Sequence, residues 1–485
     1  MCPQATGSAG VSRVPLKRVL CGRVTISRDV WRPRLWRRAL ALCLLCVPAT
    51  DSRDLVVRYL SFAEVEETIR LNGDSGLAGS DIHDSVAWNG WVRAADSRVR
   101  ARIDRGIEDS ISNFILYGTS FTDLARIQGV EYAASDEDML ATAVTARIHS
   151  LATALRSSTQ NERVRLVRDF LARKQIPPQT VEEFFKENLS RFVGEQRAYR
   201  KKLEDAGSAG DPNAVFFTRG TLFETRGLSV DTSLLPNFAL EDTLRVMIEK
   251  SVLSKDSIRR VAVIGPGLDF TDKRDGYDFY PLQTVQPFAV LDALRRLGLG
   301  RTESVQLTCL DLNPWVIAHV RRLADLARTG RSYTVQLPRD VRAEWSPVAI
   351  SYWEHFGEML GSSAKPLPTP AALGEVVVRA VAIESRFAAN ITAYDLNIVT
   401  QTLDLPPSQK FDLVIATNVL VYYDRLQQAL AMANIARMMN PKGVFLANSV
   451  LPSQHTDDLE FLGRRNVSYT LSGAYGDDVV VYRRR

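Results

Sequence analysis

Gly265 and Gly267 follow four apolar residues, Val261 to Ile264, in the stretch from Arg260 to Phe270. An unbroken apolar run of this length suits a strand covered on both faces. Gly265, Pro266 and Gly267 then make a tight turn where backbone can approach a ligand closely, a place where a Cβ would collide. At the carboxyl end of a parallel strand such a turn is a nucleotide-binding position. A second run, Val305 to Leu310, ends at Asp311 and Leu312. An acid there can accept hydrogen bonds from both hydroxyls of a ribose, or it can cap the helix that Asn313-Pro314 begins. A third run, Ile391 to Tyr394, ends at Asp395, beside Leu396. A carboxylate there can accept from an exocyclic amine of a base.

The loop after the glycines is dense in acids and aromatics. Asp269, Asp272, Asp275, Asp278 and Tyr280 are site candidates, because ligand contacts collect in loops at the ends of parallel strands. The same composition also suits a surface loop pegged to the core by its aromatic rings.

Positioning such residues requires α/β architecture. Over residues 236–485, strands alternate with amphipathic helices. Strands are expected at Val261–Ile264, from Val305 to Asp311, at Ile391–Asp395 and at Val444–Ala447, with a further strand and its loop over Phe411–Asp424 and a closing antiparallel pair at Ser468–Leu471 and Val479–Tyr482. This predicts a Rossmann-like, doubly wound, mostly parallel sheet. Residues 331–375 interrupt the alternation as an insertion, in which Glu354 and His355 read as surface residues. Residues 50–206 predict an all-α domain. Its first helix runs from Leu55, a second spans Asp84 to Ile103 and a third Ile107 to Tyr117; Asp136 to Ser157, Glu162 to Lys174 and Val181 to Leu203 continue the helices, with their Arg, Glu and Lys residues on solvated faces. The turn from Tyr117 to Thr122 reads as a helix end with local hydroxyl bonds. Residues 207–235 form a linker and crossing segment.

Composition narrows the function classes. The 485 residues are 45% apolar and 24% charged, an ordinary globular composition. The net charge of +5 is concentrated at the N-terminus. Residues 1–49 hold nine cations and one acid, a net +8, so the rest carries −3. No basic footprint for nucleic acid remains in the main body. Four of the five cysteines lie in residues 1–49, and Cys309 sits in an apolar strand, where packing is its expected role. His83 and His149 have no second ligand at metal spacing, so no metal site is expected. Arg37-Arg38, a short apolar run and the small residues Val47 and Ala49 give residues 1–49 a signal-peptide-like pattern, and no transmembrane span is expected after its removal. The leader points to export. The oligomeric state is open.

The stretch Phe411 to Asp424, followed by Met439 to Phe445, is the most specific signature in the chain. With the glycine turn and the two strand-end acids, it resembles class I S-adenosylmethionine-dependent methyltransferases over residues 236–485. The resemblance implies S-adenosylmethionine as cofactor, with Gly265, Pro266, Gly267 and Asp269 near its amino-acid part. It implies Asp311 and Leu312 at the ribose, Asp395 and Leu396 beside the adenine, and Asn418 facing the methyl group. Asp272, Tyr280 and Tyr422 would then serve as base or orienter for an unidentified acceptor. Val263 stands where the family usually has an acid, and Asp269 where a third glycine is common. Methyl transfer places cytoplasmic demands on location, whereas the leader points outward. A methyltransferase-like binding module without catalysis, possible in an exported setting, is therefore the alternative. A nicotinamide-binding oxidoreductase is a third reading, disfavoured by Phe270 at the place of the dinucleotide fingerprint's third glycine.

Overall fold

The structure, a computed structural model, describes residues 55–72, 82–127, 137–208, 226–271, 276–300, 304–448, 458–473 and 475–485. The leader-like residues 1–49 and Asp272 lie outside these. In chain order the elements are β1 (Val57–Tyr59), α1 (Phe62–Asn72), α2 (Ser85–Tyr117), α3 (Glu137–Arg156), α4 (Glu162–Arg173), α5 (Val181–Ser208), α6 (Leu235–Glu249) and β2 (Arg260–Ile264). There follow α7 (Gln286–Arg296), β3 (Gln306–Asp311), α8 (Pro314–Arg328), β4 (Tyr333–Asp340), α9 (Pro347–His355), β5 (Gly361–Ala364), β6 (Val376–Ile383), α10 (Ser385–Ala388) and β7 (Ile391–Asp395). The chain closes with β8 (Gln401–Leu403), β9 (Phe411–Ala416), α11 (Arg425–Met438), β10 (Met439–Ala447), β11 (Leu459–Ser468) and β12 (Gly476–Arg484).

Seven strands form the main sheet in the order β11-β12-β10-β9-β2-β3-β7. The five from β10 to β7 are parallel, and β12 is antiparallel to both β10 and β11. The apolar runs explain the parallel core. Val261, Ala262 and Val263 are fully buried, as are Leu413, Val414 and Ile415 beside them, and only a strand covered on both faces needs such continuity. The chain enters the sheet at β2, moves outward through β3 to β7, then returns to the other side of β2 at β9. Strand order therefore reverses between β2 and β9, which leaves a crevice at their carboxyl ends.

Four details differ from the sequence reading. Val57–Tyr59 is a strand paired with β8, because Leu60 turns its carbonyl to the indole of buried Trp88 at 2.7 Å instead of continuing a helix. Helix α2 is one rod of 33 residues that passes through Gly106 without a break. The closing pair is β11 with β12, so Ser468–Leu471 lies at its turn and the strand precedes it. The expected insertion is an antiparallel three-stranded sheet, β4-β6-β5, which reaches Ile383.

Residues 55–485 form one compact unit, and the N-terminal helices pack within it. The segment 226–228 crosses α2 backbone to backbone. A Cβ on Gly106 would lie 1.8 Å from the Leu228 carbonyl oxygen, and one on Gly227 would lie 2.4 Å from the Gly106 nitrogen. Hydrogen bonds lock the crossing: the Leu228 amide donates to the Arg102 carbonyl at 3.0 Å, and Arg102 Nε donates to the Arg226 carbonyl at 2.9 Å. Two arginines of this half are interior, not solvated. Arg147 and Arg163 are 1% and 2% exposed. Arg163 donates to the carbonyls of Phe270, Tyr280 and Asp269, and so ties α4 to the loop after the glycine turn.

Candidate functional site

The crevice at the reversal point is a cleft bounded by four strand ends. Ile264, Gly265 and Gly267 contribute from β2 and its turn, and Leu310, Asp311, Leu312 and Asn313 from β3. Leu396 and Ile398 follow β7, and Thr417, Asn418, Val419 and Tyr422 follow β9. The fourth wall is Leu228–Ser233 with Asn237 of α6, held in place by the crossing over α2, whose Ile103 also reaches the cleft.

The turn needs its glycines. Gly265 has φ +68° and Gly267 φ +71°, in the region that L side chains rarely enter. A Cβ on Gly265 would stand 2.5 Å from Val419 Cγ2, and one on Gly267 would stand 3.1 Å from the Val230 carbonyl oxygen. Gly265→Ala is expected to cost about 2 kcal/mol in denaturant unfolding. Gly298→Ala is the control: φ is +67° there, with nothing near the added carbon. It should lose only the backbone share, about 1 kcal/mol. Equal losses at both positions would remove the Val419 contact from the account.

Asp311 is half-buried, and its Oδ1 accepts from the amides of Leu312 at 2.7 Å and Asn313 at 2.8 Å. Burial pushes its carboxyl up to about 6, with a smaller push from Asp395, against the pull of the two amides. The capping of α8 falls to Asn313, whose Oδ1 accepts from the Trp315 amide at 2.9 Å. Asn418 takes a left-handed conformation, φ +57°, and its amide donates to Asn448 Oδ1 at 2.8 Å.

Of the residues expected at the site, Gly265, Gly267, Asp311, Leu312, Leu396, Asn418 and Tyr422 meet at this cleft. Pro266 is buried in the turn and is not among the lining residues. Asp395 also lies away from the lining: its exposed carboxylate pairs with Arg100 of α2 at 2.9 Å. Asp278 is engaged structurally, accepting from the Thr119 amide and hydroxyl and the Ser120 amide at 2.8 to 2.9 Å. Asp269 and Tyr280 line a second cavity instead, where the Tyr280 hydroxyl donates to Asp269 Oδ2 at 2.7 Å. Asp272 and Asp275 are outside the described residues. Glu354 and His355 are exposed, as read from the sequence.

Sequence reasoning missed Asp231, Asn237, Gln286 and Asn313 as lining residues. Asn237 and Asn313 are buried, and Asn237 Oδ1 and Asn313 Nδ2 have no hydrogen-bond partner among the described residues. Buried polar atoms normally have partners, so an acceptor and a donor left open in one cleft fit a polar ligand. The glycine cradle, a half-buried carboxylate and the apolar Leu312 and Leu396 suit a molecule with a charged end, a sugar and a flat ring. Among the described residues no group of His, Cys, Asp and Glu is arranged to hold a metal. No described helix is long and apolar enough to cross a membrane.

Comparisons with known proteins are slight. No protein-family model matches the chain, and no curated protein matches it in sequence. Solved structures with some likeness include the N-methyltransferase NodS from Bradyrhizobium japonicum WM9, at 12% identity and a TM-score of 0.26, covering 51% of this chain and 97% of that one. The mitomycin 7-O-methyltransferase MmcR has 13% identity and a TM-score of 0.27, covering 81% and 99%. Magnesium protoporphyrin IX methyltransferase from Synechocystis PCC 6803 with bound SAM has 9% identity and a TM-score of 0.24, covering 51% and 79%. Similarity this low says nothing about chemistry, which rests on the cleft itself.

Proposed function

We propose that this chain binds S-adenosylmethionine in the cleft and transfers its methyl group to a small acceptor. The observation that carries this reading is the meeting of the left-handed glycine turn, Asp311 and the two unpartnered atoms Asn237 Oδ1 and Asn313 Nδ2 where the strand order reverses. Gly265 and Gly267 leave room for the amino-acid end, and Asn237 Oδ1 is an open acceptor for its ammonium group. Asp311 Oδ2 accepts from the ribose. Leu312 and Leu396 sandwich the base, and Asn418 with Tyr422 stands at the reacting end. When bound, the cofactor supplies an electrophilic methyl carbon. The work left to the protein is to orient an acceptor and exclude water.

Titration calorimetry of the full chain tests this reading. Micromolar binding of S-adenosylmethionine and its demethylated product is expected, with no heat from NAD. Heat from NAD alone would favour the oxidoreductase reading. Silence with every ligand would leave a module that has the fold without the cofactor.

A further inference from the structure

The second cavity adjoins the cleft, sharing Thr232, Ser233 and Pro236 with it. It encloses about 280 Å³, near the lower end of small-molecule sites and too small for a folded partner. Its walls are unusual in combining aromatic rings with carboxylates. Tyr277, Trp345, Tyr469 and Tyr475 supply ring surface, and Asp269 and Asp477 supply charge. Tyr475 is 62% exposed and stands at the open side.

Asp269 is the informative wall residue. It is 5% exposed. Its Oδ2 accepts from the Tyr280 hydroxyl at 2.7 Å and from Gln283 Nε2 at 3.0 Å. Its Oδ1 is buried and has no hydrogen-bond partner among the described residues. A buried carboxylate oxygen left open costs a good deal unless a donor meets it. Arg163 does not fill that role, because its guanidinium is spent on three backbone carbonyls. Burial raises the Asp269 carboxyl above its ordinary range, against the hydrogen bonds from Tyr280 and Gln283. Asp477 is likewise raised by burial and accepts from the Tyr469 hydroxyl. Among the described residues Asp269 and Asp477 line the cavity and no Lys or Arg does, although Arg163 and Arg126 lie over the Tyr280 and Tyr277 rings. The cavity therefore has acceptor oxygens and negative charge to offer, and the π-faces of Trp345 and Tyr469 favour a cation.

We infer that this second cavity is a binding subsite for a compact aromatic amine, its ammonium group on Asp269 Oδ1 and its ring among Trp345, Tyr469 and Tyr277. Under the function proposed above, on which this extension rests, such an amine is the acceptor class. The subsite itself needs only the residues described here. Its size fits one ring with a short chain, and its charge disfavours acids.

Calorimetry of the full chain without cofactor, using three probes with the same ring and similar chains, tests the inference: phenethylamine, phenethyl alcohol and 3-phenylpropanoate. Phenethylamine is expected to bind about tenfold more tightly than the alcohol, and the carboxylate to give no heat. Asp269→Asn should bring the amine and the alcohol to equal affinity, while Trp345→Ala should weaken both. Asp477→Asn, at a partly exposed position, should reduce the amine preference in part and guards against a folding defect at Asp269. Equal binding of all three probes by the unaltered protein, no binding of any, or an amine preference unchanged in both carboxylate variants would overturn the inference. Because no cofactor is present, amine binding alongside silence toward S-adenosylmethionine would keep the subsite and remove only the methyl-transfer reading.

Discussion

Asp311→Asn is expected to weaken S-adenosylmethionine binding about 100-fold while making the protein more stable. The binding loss is that of the charge in two hydrogen bonds to ribose, each worth about 1.5–3 kcal/mol when the acceptor is ionised. The gain in stability follows from the raised carboxyl. In the folded protein it holds its proton until about pH 6, and in the unfolded chain only to about pH 4. Between these values the folded state binds more protons than the unfolded one. Stability therefore falls as pH rises through this window and stays at the lower level above it. Asparagine lacks the charge, yet its Oδ1 can still accept from the Leu312 and Asn313 amides. At pH 7.5 the variant should be more stable by about 2 kcal/mol, and by almost nothing at pH 4. Urea unfolding at both pH values, with calorimetry at pH 7.5, measures the two effects. A variant that binds normally, or that unfolds with the same pH profile as the original, would remove Asp311 from the role assigned to it.

Arg147→Met should be the most destabilising single change in the helical half, at about 4 kcal/mol. The buried guanidinium donates to four carbonyls: Ile115 at 2.5 Å, Leu124 at 2.7 Å, Ala125 at 2.9 Å, and Gly118. Burial lowers its pKa to about 10, still well above neutrality, so it stays charged. Methionine relieves the cost of burying that charge but leaves four carbonyls without donors, and the second effect is larger. Arg147→Lys is the sharper comparison. It keeps the charge and loses the planar fork, and a single ammonium cannot reach four oxygens spread around a turn. Lysine should thus recover less than half of the loss. Full recovery in thermal melts would mean that charge, not fork geometry, holds the turn.

The parallel sheet was legible because a strand buried on both faces is mostly apolar: β2 has the unbroken run Val261–Ile264, β9 has Leu413–Ala416, and β3 is broken only by Gln306 and Thr308 before Asp311. The glycine turn was legible for a related reason, since the two glycines directly follow such a run. The last antiparallel strand was not. β11 is half-exposed, and Arg464, Arg465 and Asn466 hide its alternation. Arg147 and Arg163 were misread because residue type suggests solvent, and only three-dimensional contact reveals carbonyls waiting for donors. Asp395 was assigned by its place at a strand end, while its partner Arg100 lies 295 positions away in the chain. The Leu228–Ser233 strap in the fourth wall of the cleft was invisible for the same reason. Asp231 and Asn237 precede the first parallel strand and reach the cleft only because the chain first passes over α2. Neither composition nor period records that detour.

The passage of Gly227 over Gly106 has a meaning beyond packing. Neither residue offers a functional group, yet any side chain at either would lift the Leu228–Thr232 strap away from the helix and widen the cleft by about the thickness of a methyl group. A survey of tolerated substitutions would find both positions as unforgiving as Asp311, and a reader of that survey would look for a ligand at each. The pair acts as a spacer gauge, and its joint survival would identify distant kin after the helices and walls around it had changed beyond recognition.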